Sequence, residues 1–153
     1  MANYKNVLVC VYGEEFSSED TFDQACAFAL KEDAKLYITT IVDPKPFASM
    51  SRFDKKIEER VKQQALEQLQ AYKQKAEEKG IHEVETILDV GTPKVRIARH
   101  IVPNYQIDLI IAGETVGRIA ERAITGSISK GIAKRAACDV IIVDNNGELI
   151  TKT

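Results

Sequence analysis

The residues best placed to do chemistry lie in two short runs, Ala112-Gly113-Glu114-Thr115-Val116-Gly117-Arg118 and Thr125-Gly126-Ser127-Ile128-Ser129. Glycine lets a backbone approach a ligand closely. Where the second run turns into a helix, free amides and the positive end of the helix dipole make an anion site. Ser127 and Ser129 add hydroxyl donors. This is a candidate phosphate cradle. The competing reading is that Gly113 and Gly117 only make a turn and Ser127 only caps a helix. Arg118 divides in the same way, between a phosphate contact and a solvated surface charge.

No other cluster competes with it. The Walker A spacing is absent; Gly126-Ser127-Ile128-Ser129-Lys130 only echoes it. No G-x-G-x-x-G follows the first apolar run, which argues against a dinucleotide-binding enzyme. His82 and His100 have no nucleophile beside them and read as surface histidines. Glu58-Glu59 and Glu77-Glu78 are adjacent on one helix, so their carboxylates point apart. Cys10, Cys26 and Cys138 lack C-x-x-C spacing and sit in apolar sequence, as buried free thiols do. No catalytic residue is assigned, and no metal site.

The elements that must position the loop follow from periodicity. Continuous apolar runs at Asn6–Val11, Leu36–Val42, Ile107–Ala112 and Asp139–Val143, with an alternating run at 83–90, predict five strands. Between them fall a helix opened by the capping-box pair Ser17 and Asp20 and fading near Asp33, and a long helix over 54–79. The long helix carries the stripe Ile57, Val61, Ala65, Leu69, Tyr72 and Ala76 and is closed by Gly80. A third helix starts at Gly91-Thr92-Pro93 and is stopped by Pro103; a last one spans 127–137. Alternating strands and helices predict an α/β fold: one doubly wound domain over residues 1–153, its core at about 5–143 and a polar tail at 144–153. Such sheets bind ligands beyond the carboxyl ends of their strands, at the switch point, here after Val11, Val42 and Ala112.

The chain has 153 residues, 44% hydrophobic and 29% charged, with a net charge of −2. That fits one globular domain and lacks the basic excess of a nucleic-acid partner. No apolar run approaches the ~18 residues of a membrane span, and Met1–Asn6 lacks a signal-peptide core. A cytoplasmic location is expected.

From Asp108 to Val143 the sequence resembles the universal stress protein family. In its ATP-binding branch a glycine after strand four is followed by G-x-x-G, nine residues and G-[ST]. Gly113 and Gly126-Ser127 match the outer parts. Gly91-Thr92-Pro93, the strand end Thr40-Ile41-Val42-Asp43 and the closing Cys138–Val143 are similar too, so the resemblance spans about residues 5 to 143. Two positions depart from the pattern. Val116 stands where the second glycine belongs, with Gly117 one place later, and Tyr12 stands where an aspartate is usual.

The resemblance implies a five-stranded, mostly parallel sheet of order 3-2-1-4-5 with helices on both faces. It implies a cytoplasmic stress-response protein binding ATP or another adenine nucleotide, with or without Mg²⁺, and at most weak hydrolysis. By position, the Ile41 backbone would meet the adenine edge, and Cys10, Val11 and Tyr12 would line the base and ribose. Ala112, Gly113, Thr115, Gly117 and Arg118 would meet the phosphates from one side, and Gly126, Ser127, Ile128 and Ser129 from the other. It also implies a homodimer paired through the last strand, Val140 to Val143, whose apolar edge invites pairing. The alternative is a dimeric interaction module of the same fold that has lost nucleotide binding.

Overall fold

The computed structural model describes residues 4–11, 19–43, 55–113, 138–143 and 149–152. Five parallel strands, β1 (Asn6–Cys10), β2 (Lys35–Val42), β3 (Val84–Val90), β4 (Leu109–Gly113) and β5 (Asp139–Val143), lie in the order β3-β2-β1-β4-β5. Their near-continuous apolar sequence is explained by cover on both faces. On one face α1 (Glu19–Glu32) and α2 (Lys55–Glu78) bury Phe22, Cys26, Leu69, Tyr72 and Ala76 against Val7, Val9 and Ile111. The Phe22 and Tyr72 rings meet 4.7 Å apart at 55°, a tilted pairing favoured by the ring quadrupoles. On the other face Ile97, Ile101 and Val102 pack on Leu8, Ile110 and Ile142.

Several boundaries have a local cause. Asp33 (φ 55°) and Gly80 (φ 102°) end the first two helices in the left-handed region. Asp108, an acidic break in an apolar run, accepts the amides of Lys5 and Asn6 at 2.9 and 3.0 Å and so fixes the entry to β1.

Two expectations are corrected. Pro103 does not stop its helix. The segment runs as α3 (Pro93–Arg96), a π-helical turn (Ile97–Ile101) and α4 (Val102–Tyr105), and it ends at Gln106 in the left-handed region. The π turn, with the Val102 amide bonded to the Ile97 carbonyl, breaks the regular ladder just where proline lacks a donor and its ring would strike the carbonyl of residue 99. The alternating run does form β3: Val84 and Leu88 pack partly buried against the core under α1 and α2, Ile87 is buried on the opposite face, and Val90 at the strand's end is exposed.

The second correction concerns the tail. Residues Leu149–Lys152 form β6, antiparallel to β5, pairing Ile142 with Ile150 and Val143 with Leu149. The outer edge of Val140–Val143 is therefore already hydrogen-bonded within the chain, and the expected dimer through it has no free edge to use. The described edges of the sheet are β3 and β6. The last helix expected over 127–137, and Ser17 of the capping box, lie outside the described residues.

At the opposite end of the strands, Tyr4 donates its hydroxyl to Asp139 at 2.7 Å, and this bond with burial pushes the Tyr4 pKa up to about 12. The protonated phenol is the bonded form, so this stability is complete below pH ~10 and lost as pH rises to about 12. Tyr4→Phe should cost about 1 kcal/mol at pH 7, a charged-acceptor bond discounted for partial exposure. The wild-type advantage in urea midpoint should vanish between pH 10 and 12.

Candidate functional site

The chain leaves β1 toward β2 on one side, then crosses back so that β4 lies on the other side of β1. The crevice between the carboxyl ends of β1 and β4 is thus the switch point. The register Val9↔Ile111 puts Val11 and Gly113 level with each other, two residues further on.

Alternation sorts the described candidates by face. Cys10, Ile41 and Ala112 turn their side chains to the face covered by α3 and α4, and Val11 to the face of α1 and α2. All four are buried below the rim. Burial also raises the Cys10 thiol to about 12, so this thiol is neutral core. Cys26 is raised to about 12 by burial as well, and the partly buried Cys138 to about 11.

The backbone at the end of β2 has a definite direction. The Val11 amide bonds to the Thr39 carbonyl at 2.9 Å, whereas the Leu36 amide and the Val42 carbonyl serve the β3 side through Glu83 and Gly91. Ile41, two residues after Thr39, therefore turns its peptide groups to the β1 side, beyond Cys10, the last residue of β1 paired with β2. Below it, the buried Thr39 hydroxyl donates to the Ile87 carbonyl at 2.9 Å and locks β2 to β3.

Gly113 has a packing neighbour that the sequence did not reveal. A Cβ there would stand 2.9 Å from Oγ1 of Thr21, a buried residue in the first turn of α1. The glycine thus lets α1 start tight against the end of β4. The acidic Glu19 and Asp20 occupy that first turn, complementing the helix dipole themselves.

Three further residues shape the rim at β3. Asp89 accepts the Val90 amide at 2.8 Å and Nε of Arg96 at 3.0 Å. Gly91, at φ 143°, lies under the Arg96 side chain. Thr21, Asp89 and Arg96 escaped the sequence reading, because a polar residue in a strand or a first turn does not disclose its partner.

Of the expected site, Cys10, Val11, Ile41, Ala112 and Gly113 are brought together at one end of the sheet. Tyr12, Thr115, Gly117, Arg118, Gly126, Ser127, Ile128 and Ser129 lie outside the described residues. Among the described residues no cluster of His, Cys, Asp and Glu could hold a metal, and no helix is long and apolar enough to cross a membrane.

Residues 3–144 match the model of the universal stress protein family. A protein of Staphylococcus aureus strain USA300 named as a universal stress protein is 36% identical over 143 residues, covering 94% of this chain and 86% of its own length. Two solved structures share the fold. Universal stress protein UspA from Lactobacillus plantarum has a TM-score of 0.77 at 23% identity, covering 93% of this chain and 99% of its own. A universal stress protein in complex with cAMP has a TM-score of 0.64 at 22% identity, covering 94% and 98%.

Proposed function

Because the chain belongs to the universal stress protein family, we propose that it is a cytoplasmic stress-response protein that holds an adenine nucleotide at the switch point. The observation that carries this reading is the meeting of Val11, Gly113 and the outward-turned backbone of Ile41 at the carboxyl ends of β1, β4 and β2. The cAMP complex of a structural relative supports it.

In this reading the Ile41 peptide groups meet the base edge, and the chain from Cys10 to Tyr12 flanks base and ribose. The phosphates, those of ATP with Mg²⁺ included, rest on Gly113, Thr115, Gly117 and Arg118 from one side and on Gly126, Ser127, Ile128 and Ser129 from the other. In this reading the protein binds and signals, with weak hydrolysis at most.

A second reading is favoured by Gly113 having a packing reason of its own in Thr21, and by Val116 and Tyr12 in the loop positions. It is an interaction module of the same fold without nucleotide.

Mass spectrometry of the freshly purified native protein, looking for co-purified nucleotide, separates the two. Calorimetry with ATP plus Mg²⁺ and with cAMP should then rank the variants. Gly126→Val, which fills the space for phosphate, should weaken binding more than Ser127→Ala, which loses one hydrogen bond of ~0.5–3 kcal/mol. Val116→Gly should tighten it. A wild type with no heat at millimolar nucleotide, unrescued by Val116→Gly, would leave the interaction module standing.

A further inference from the structure

A cavity of about 230 Å³ lies on the β3 side of the sheet, between the end of β3 and the helix over 93–105. Its apolar lining includes Ile87 and Ile101, and its polar lining is Asp89, Arg96, His100 and Asn104. None of these belongs to the candidate nucleotide site.

Arg96, His100 and Asn104 recur at a spacing of four. In a regular α-helix of 3.6 residues per turn such a column drifts sideways. Here the π turn over Ile97–Ile101 intervenes, and its wider turn offsets that drift, keeping the three residues over one cavity. Single π turns are rare and concentrate at functional sites.

The chemistry of the column is that of donors. Asp89 engages only Nε of Arg96, which orients the guanidinium and leaves its two terminal amino groups. No other side-chain hydrogen bond or ion pair of Arg96, His100 or Asn104 occurs among the described residues. A guanidinium held by a carboxylate, beside an imidazole and an amide, suits the planar or tetrahedral oxygens of an anion. We propose that this cavity is a second ligand site, taking the carboxylate or phosphate group of a small molecule on Arg96, with His100 and Asn104 completing the contact.

The test is a titration of the ¹⁵N-labelled full chain, with inorganic phosphate and separately with malonate, at ionic strength held constant by sodium chloride. Saturable shifts of the Arg96 Nε–H, the Asn104 side-chain amide and the His100 ring are expected. Saturation by phosphate or by malonate supports the site and says which oxyanion it prefers. His100→Gln with Asn104→Leu, both at exposed positions, should leave the melting temperature unchanged and weaken binding about tenfold, as for the loss of two modest hydrogen bonds. Shifts elsewhere that persist in the double variant belong to another site. The proposal is overturned by the absence of saturable shifts at these three residues below about 20 mM of either anion, an affinity floor of roughly 2 kcal/mol. An affinity unchanged in the double variant overturns it too.

Discussion

Gly113→Ala is expected to destabilise the fold by about 1–3 kcal/mol, the usual cost of overpacking, and Thr21→Ala is expected to restore most of that loss. The added Cβ would stand 2.9 Å from Oγ1 of Thr21. Thr21 is buried at the start of α1, so its hydroxyl has little room to swing away. For a domain of this size each kcal/mol moves the melting temperature by roughly 2–4 °C, well within the reach of calorimetry. Because the pair is in contact, the single effects should fail to add. If Gly113→Ala melts as wild type, or if Thr21→Ala brings no recovery, the close approach of α1 to β4 is not what the glycine serves. The double variant then has a second use. With the fold restored, any remaining loss of nucleotide affinity reports on the glycine as a ligand contact alone.

Gly91→Val is the second large effect. Its φ of 143° lies where side chains are rarely found, and a Cβ there would meet Cγ and Cδ of Arg96 at 2.9 Å. The backbone strain alone is of order 1–3 kcal/mol. Displacing the Arg96 stem also breaks its pair with Asp89, which, being partly exposed, adds no more than about 1 kcal/mol. Arg96→Ala in the Gly91→Val background should relieve the collision and leave the backbone part. A urea series on the two singles and the double would therefore show a partial rescue of the midpoint with unchanged slope. A full rescue would mean that φ at residue 91 is no constraint, and no rescue that Arg96 does not crowd it.

Among the described residues, the order and type of the five parallel strands and of the helices between them were legible because they rest on local signals. Apolar runs such as Val7–Val11 and Leu36–Val42 could only be strands covered twice. The stripe ending at Leu69, Tyr72 and Ala76 could only be a helix face, and Gly80 and Gly91 marked their boundaries correctly.

What escaped the reading was whatever one residue owes to another far along the chain. Leu149-Ile150-Thr151-Lys152 is too short to announce a strand, and it becomes one only because β5 offers an edge. Pro103 reads as a stop until a π turn relieves the carbonyl ahead of it. Gly113 reads as a loop for a ligand until Thr21, 92 positions earlier, proves to be its neighbour. At the candidate site, the positions after β1, β2 and β4 were legible from topology, whereas which atoms of Ile41 turn outward depended on the ladder that Thr39 makes with Val11.

The reversal of direction in β6 also decides where the chain can be held. β6 runs back along β5, so that Lys152 pairs with Val140 near the start of β5, beside the Asp139 that takes the Tyr4 hydroxyl. Tyr4 and Lys152 thus leave the sheet from one end, and the switch-point crevice opens at the other. A tether joined through either residue, whether a fusion partner or a sensor surface, would hold the molecule by its base with the crevice facing solution.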